Sequence, residues 1–194
     1  MEWADGKRRC RWARARNELY VAYHDLEWGV PEHDDRRLFE LLILEGFQAG
    51  LSWECVLMRR EGFRQAFDGF DAERVALYGP EKLRQLMEDA RIIRNRLKIE
   101  AAPVNARAFL GIRREYGSFD AWLWGHTGGA VVYERGLTRS ALSDAVSREL
   151  RRRGMKFVGS TTIYAYLQAV GVINSHEEGC FLAREARGGE IHSI

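Results

Sequence analysis

Apolar positions along the chain recur with helical spacing, not strand spacing. From Asp34 to about Ala49, Leu38, Phe39, Leu41, Leu42, Ile43 and Leu44 are apolar nearly all round, which predicts a central buried helix. Asp34 and Asp35 put carboxylates in its first turn, and Gly46 and Gly50 loosen its end. A second helix is predicted from Ser52 or Trp53 to Phe67. Asp71 suits an N-cap ahead of Ala72 to Tyr78, with Gly79 as the stop. Pro80 then suits the first turn of a helix over Glu81 to Ala90. Ile92 to Tyr116 keeps helical spacing, but Pro103 predicts a kink or a split. Short helical signals follow at Asp120 to Trp124, then from Ser140 or Ser143 to Arg153 with Gly154 closing, and from Thr161 to Gly171. The segment from Gly128 to Tyr133 has some extended character and is read as loop. There is no strand–helix alternation, internal repeat or low-complexity tract. The expected fold class is all-α, a compact bundle of non-parallel helices.

Composition narrows this picture only a little. A length of 194 residues suits one domain, or one with a small second lobe, and suffices for a core without disulfide staples. With 46% hydrophobic and 30% charged residues, disorder is excluded, and 3 prolines exclude a proline-rich linker. Lys+Arg 30 against Asp+Glu 28 leaves +2, so charge alone neither proposes nor excludes DNA. Three cysteines cannot all pair in a secreted framework, which favours a reducing cytosol. The N-terminal residues carry no signal-peptide apolar stretch, and Leu41 to Leu44, bounded by Glu40 and Glu45, cannot span a bilayer. A cytoplasmic protein with no membrane partner is expected.

Four groups of residues carry possible chemistry. Cys10 and His24 lie near one end of the chain, and His176 and Cys180 near the other. His176 and Cys180 stand at i and i+4, which puts them on one face of a helical turn. Two thiolates and two imidazoles match tetrahedral Zn²⁺, closed to water and therefore structural. Two packed cysteines and two packed or surface histidines satisfy the same pattern, and Cys55 is read as a packing residue. Glu45 ends an apolar helix; it either meets a cationic or hydrogen-bond-donating ligand or is bonded to backbone amides or an arginine. Trp12, Tyr20, Tyr23, Trp28 and Trp53 flank His24 and Glu45 in sequence, as stacking surfaces or as core. The turn Lys156 to Thr162, downstream of Arg151 to Arg153, is a possible phosphate seat at a helix N-terminus or an ordinary turn with a solvated basic face.

Taken together, these stretches resemble the 3-methyladenine DNA glycosylase I family, within the helix-hairpin-helix glycosylases. The resemblance runs through Arg9-Cys10-Arg11-Trp12, Tyr20 to Pro31, Leu38 to Glu40, Leu44 to Trp53, Ile92 to Ile99, Asn105 to Ala108, Lys156 to Tyr164 and His176 to Cys180. It covers about residues 9–182, so a single unit over 1–194 is expected, with residues 1–8 and 183–194 as peripheral tails. The resemblance implies that Cys10, His24, His176 and Cys180 bind one structural zinc. It implies that Glu45 and Tyr23 contact the excised base, that Trp53 stacks on it, and that Trp12, Trp28 and Tyr20 line the pocket. It implies that Phe157, Val158, Gly159, Ser160 and Thr161 hold a DNA phosphate, and that Gly50 and Leu51 push into the duplex. This chain departs from the pattern at Arg14 to Glu18 (one residue longer), at Pro103, over Trp122 to Leu137, in the tail after Cys180, and at Ser175, where an aspartate is common.

The implied function is base-excision repair: monofunctional hydrolysis of the N-glycosidic bond of 3-methyladenine in double-stranded, alkylated DNA, leaving an abasic site. Glu45 is the expected catalytic carboxylate. A cationic alkylated base is already weakly bonded, so the enzyme must chiefly extrude and hold it. No lysine lies between Ser160 and Ile194, consistent with no lyase step, and no Asp or Glu lies between Gly159 and Ser175. Glu177 and Glu178 are expected to face solvent. A monomer, nucleoid-associated when acting, is expected. The alternatives are a non-enzymatic module binding alkylated DNA and, more plainly, a zinc-stabilised helical domain binding a protein.

Overall fold

The computed structural model describes residues 5–13, 17–48 and 50–183. The insertion at Arg14 to Glu18 falls mostly outside them, as do Ala49 and residues 1–4 and 184–194 of the expected tails.

The fully apolar segment forms α2 (Asp35–Gln48), and every residue from Leu38 to Phe47 is buried. It is the axis of the fold and packs against α3 (Trp53–Leu57), α7 (Arg96–Tyr116), α8 (Phe119–Gly125) and α10 (Ser160–Ala169). Phe39, Phe109, Phe119 and Trp122 form a continuous chain of ring contacts through this core. A short layer of α4 (Arg60–Ala66), a 3-10 turn at Asp68–Phe70, α5 (Ala72–Ala76) and α6 (Pro80–Glu88) covers one side. On another side, α9 (Ala141–Arg152) packs on α10.

The local signals work as their chemistry requires. Asp71 accepts from the Glu73 and Arg74 amides, and Ser140 with Ser143 closes a reciprocal capping box on α9. Pro80 opens α6 at its first turn.

The structure corrects five expectations. The helix predicted over Ser52 to Phe67 is two helices, broken at Met58–Arg59, which turns Arg60 inward to Glu40 (2.6 Å) and Glu27 (2.8 Å). α7 begins at Arg96 rather than Ile92 and runs unbroken through Pro103. A proline inside a helix costs roughly 3 kcal/mol, and burial of Ile99, Ala102, Ala106, Phe109 and Ile112 on either side offsets it. α1 (Glu18–Leu26) was not foreseen: its outward Leu19 and Leu26 are exposed while adjacent Tyr23 and His24 are buried, so no apolar stripe marks it. The fold is mostly helical, as expected, with one small parallel sheet in addition. Val132–Tyr133 (β1), expected as loop, pairs in parallel with Ile173–Asn174 (β2). Two residues are too few for alternation to show, and the partner is remote in sequence. Finally, His176 to Cys180 is not a helical turn: the Cys180 amide bonds the Glu177 carbonyl around Gly179, which has φ +79°.

One glycine is required for the site's framework. The segment after α1 lies against the end of α10, with Gly29 N–H to Gln168 O (2.9 Å) and Glu32 N–H to Val170 O (3.1 Å). A Cβ at Gly171, which also has φ +72°, would lie 2.3 Å from the Val30 carbonyl carbon. No helix among the described residues is long and apolar enough to cross a membrane.

Candidate functional site

α1, α2 and α3 converge on a cleft of about 740 Å³, within the usual size of a small-molecule site. Trp12 on the N-terminal arm, Tyr20 and Tyr23 on α1, Trp28 after it, Glu45 on α2 and Trp53 at the start of α3 all line it. The structure therefore brings together all six residues that the sequence assigned to the base pocket. Trp12 is the hub of the aromatic wall, with ring centroids 5.2 Å from Tyr20 and 5.0 Å from Trp28. Tyr23 lies 5.3 Å from Trp53 across the cleft floor.

Glu45 decides what this cleft can do. It is 3% exposed, and its Oε2 is buried without a hydrogen-bond partner. Neither alternative foreseen for it, a backbone amide or an arginine, occupies that oxygen. Burial alone pushes its pKa up to about 8. Burial, and then the Glu45 charge, hold the Tyr23 hydroxyl well above its ordinary value. The Trp53 indole Nε1 is likewise buried and unpaired. A pocket with aromatic faces, one orphan acceptor and one orphan donor is built for a flat, polar-edged ligand that brings its own hydrogen bonds.

Cys10, His24, His176 and Cys180 are all buried, and their ligand atoms lie within 4.8 Å of one another. The sulfur–nitrogen separations are 3.4 Å (Cys10–His176), 3.5 Å (Cys180–His24) and 3.5 Å (Cys180–His176). Tetrahedral Zn–S and Zn–N bonds of about 2.3 and 2.0 Å imply edges of about 3.5 Å, so the donor set fits a metal in type and spacing. The outer contacts fit too. His24 Nδ1 meets Asp25 at 2.7 Å, and Asp25 is in turn clasped by Arg9 (2.6 Å). His176 Nε2 meets the Trp28 carbonyl at 3.2 Å. Burial opposes the Asp25 charge, but Arg9 and His24 overcome it and hold the pKa low. Burial pushes the Cys10 thiol up to about 12 and His176 down to about 4, and a bound dication would reverse the shift of the thiol. This cluster abuts the pocket: Trp12 packs edge-on to His24 at 5.1 Å, and Trp28 to His176 at 4.7 Å. Cys55 stands apart, with Arg59 Nη1 donating to its sulfur at 3.3 Å.

The residues expected to meet DNA lie in two turns, and none of them lines the cleft itself. Gly50 (φ +87°) and Leu51 (43% exposed) form the turn between α2 and α3. In the α9–α10 turn, Phe157 is partly exposed at φ +58° and Val158 is buried. Gly159 is the N-cap of α10, and Ser160 and Thr161 are its first residues. Gly159, Ser160 and Thr161 border a second depression of about 590 Å³ with Arg139, Arg148 and Arg151. The Phe157 Cβ lies 3.6 Å from where a side chain at Gly46 would begin, so the turn rests on the helix that carries Glu45.

Sequence reasoning missed several lining residues. Arg135 and Gly136 come from the segment whose structure it could not place, and Gln168 and Ser175 carried no spacing signal. Glu177 and Glu178, expected to face solvent, stand on the pocket rim, where the Arg11 amide donates to Glu177 at 3.0 Å.

A family model described as methyladenine glycosylase matches residues 12–183. The chain is 44% identical over 178 residues to DNA-3-methyladenine glycosylase 1 of Escherichia coli (strain K12), covering 89% of this chain and 95% of that protein. A crystal structure of a 3-methyladenine DNA glycosylase I superposes with a TM-score of 0.87 at 43% identity, covering 91% of this chain and all of that one. A variant of another such enzyme, solved in complex with 3-methyladenine, superposes with a TM-score of 0.85 at 32% identity, over 89% and 95% of the two chains.

Proposed function

The chain belongs to the methyladenine glycosylase family, and from that premise we propose that it releases 3-methyladenine from double-stranded DNA by hydrolysis and leaves the abasic strand uncut. It is a DNA glycosylase of base-excision repair. The observation that carries the substrate assignment is the buried, unpaired Glu45 oxygen within a wall of Trp and Tyr rings.

An alkylated adenine still in DNA is cationic. Ring faces attract it more than a neutral adenine. Against the free pocket Glu45 holds its proton near neutrality, since its pKa is about 8. A cation beside it favours the carboxylate, so lesion entry and Glu45 ionisation support each other. The carboxylate accepts from the exocyclic amine and offsets the ring's charge. Tyr23 packs on Trp53 and adds a second polar edge. An unmodified base brings no charge to stabilise the carboxylate and leaves it the cost of burial.

Gly50 and Leu51 enter the stack where the base leaves, and the N-terminus of α10 with Ser160 and Thr161 holds a phosphate, in the manner of a helix-hairpin-helix element. Arg148 and Arg151 beside it add attraction that weakens with salt. Cys10, His24, His176 and Cys180 hold a zinc ion that ties the chain ends together and, with four protein ligands, takes no part in the chemistry. The glycosylase unit spans about residues 9–182 and acts as a monomer in the cytoplasm.

The direct test is chromatography with mass detection of bases released from methylated duplex DNA. Wild type is expected to release 3-methyladenine with little 7-methylguanine. Glu45→Gln is expected to stay folded and lose most release, at least about 100-fold. Unchanged turnover in that variant removes Glu45 from the mechanism. DNA binding without any release by the wild type establishes a non-enzymatic module instead.

A further inference from the structure

The mouth of the cleft carries charge that recognition of the base does not use. The whole chain has a formal charge of only +2, yet Arg8, Arg9, Arg11 and Arg135 all line this one cleft. Arg9 is buried and engaged by Asp25 (2.6 Å) and Asp5 (2.7 Å). The other three are exposed residues on anchored backbone. The Arg8 carbonyl accepts from the Phe181 amide at 2.7 Å. Arg11 stands between buried Cys10 and half-buried Trp12, and its amide donates to Glu177 at 3.0 Å. Arg135 follows Glu134, whose amide is tied to the Asn174 carbonyl at 3.3 Å. Two carboxylates, Glu177 and Glu178, share the rim. The Arg11 side chain is 92% exposed, and its Nε meets the Glu177 carboxylate at 3.4 Å.

A base reaches Glu45 only with its sugar and the two flanking phosphates drawn to the mouth. Gly159 to Thr161 cannot hold them there, because they border a separate depression with Arg139, Arg148 and Arg151. The strand at the mouth needs cations of its own, since the two rim carboxylates repel it. Guanidinium groups on long side chains suit the task, because each pairs with a phosphate through two parallel hydrogen bonds. The contact between Arg11 and Glu177 is no obstacle. Ion pairs this exposed are weak, and an arriving phosphate displaces the carboxylate.

We propose that Arg8, Arg11 and Arg135 hold the phosphates that flank the extruded nucleotide, and that Glu177 occupies Arg11 until the strand arrives. The proposal rests on the glycosylase reading. These residues make and break no covalent bond; they hold the strand at the mouth while the base lies against Glu45. Displacing Glu177 weakens the hold, so removing its charge strengthens it.

The experiment measures binding to a duplex with one tetrahydrofuran abasic analogue, by fluorescence anisotropy from about 50 to about 200 mM salt. Affinity for free 3-methyladenine is read in parallel through pocket tryptophan fluorescence. Arg11→Ala is expected to weaken DNA binding several-fold and to lower the slope of log affinity against log salt by about 1. Arg8→Ala and Arg135→Ala are expected to act in the same direction, and Arg11→Lys to keep the slope. Glu177→Gln is expected to tighten DNA binding several-fold. Free-base affinity stays within twofold throughout. Slopes and affinities that match wild type in all three alanine variants overturn the proposal, as does a Glu177→Gln variant that binds DNA no more tightly. A fall in free-base affinity that matches the fall in DNA affinity also overturns it, by placing the arginines in the pocket itself. A wild type that binds the duplex but releases no base from methylated DNA overturns the glycosylase reading instead, and the slopes of the variants still decide the role of the arginines.

Discussion

Glu45 sits 3% exposed at the end of an apolar helix with one oxygen unpaired and a pKa of about 8. A solvated glutamate titrates near 4.3. Between those values the folded chain keeps a proton that the unfolded chain gives up. Stability from this group is therefore full below about pH 4 and is lost progressively as pH rises towards 8. At neutral pH the loss is roughly 3–4 kcal/mol. Glu45→Gln removes the titration and keeps the shape. The variant is expected to melt about 5–10 °C above wild type at pH 8 and to converge with it below pH 5, as read by thermal denaturation across pH. Equal melting temperatures at pH 8 mean that the carboxylate is better solvated than its burial indicates. The variant that loses base release thus gains stability, as expected of a group kept for function. The position of Glu45 after Leu41 to Leu44 made it legible as a candidate in the sequence. Whether an arginine met it was not, because Arg37, Arg60 and Arg64 all reach Glu40 instead, five residues earlier on the same helix.

At the scale of elements, what the sequence showed and what it hid follow one rule. Signals contained within a turn were legible: the caps at Asp71 and Ser140, Pro80 at a helix start, Gly154 at an end. Features set by remote partners were not: the break before Arg60, the continuity of α7 through Pro103, the β1–β2 bridge. The α9–α10 turn combines both kinds. Its glycine and helix start are local, but its shape is held from α7, where Asn105 Oδ1 accepts from the Lys156 amide (2.8 Å) and Nδ2 donates to the Lys156 carbonyl (3.0 Å). From α9, Ser147 donates to the Val158 carbonyl at 2.6 Å. Asn105→Ala removes two bonds that imitate a paired strand, at a cost of about 1–3 kcal/mol in denaturant melts. Because the turn is the proposed phosphate seat, the variant is expected to bind duplex DNA several-fold more weakly at fixed salt. Affinity for free 3-methyladenine stays unchanged. A fall in both affinities places Asn105 in support of the whole cleft rather than of the turn.

Over the whole molecule, the Cys10–His24–His176–Cys180 cluster joins segments near the two ends of the chain, and its histidines prop Trp12 and Trp28 at the pocket wall. The four donors were legible by residue type, but the local geometry of two was not: a turn around Gly179, not a helix, sets His176 and Cys180 together. Closing so long a loop removes much chain entropy from the unfolded state, and burial without a cation favours the neutral forms of the Cys10 thiol and of the His24 and His176 imidazoles. Elemental analysis is expected to find one zinc per chain. Chelation is expected to lower the melting temperature by more than about 10 °C, since binding free energy at such a site becomes folding free energy. The single-turnover rate of the protein still folded below that temperature changes only a few-fold, because four protein ligands leave the metal no open position. Asp25→Ala keeps all four ligands but unties His24 from its carboxylate, and is expected to weaken metal affinity by roughly 10–100-fold in competition with a chelator. A metal-bound water that exchanges, or a rate that vanishes with the metal while the fold persists, moves the ion from the frame of the molecule into its chemistry.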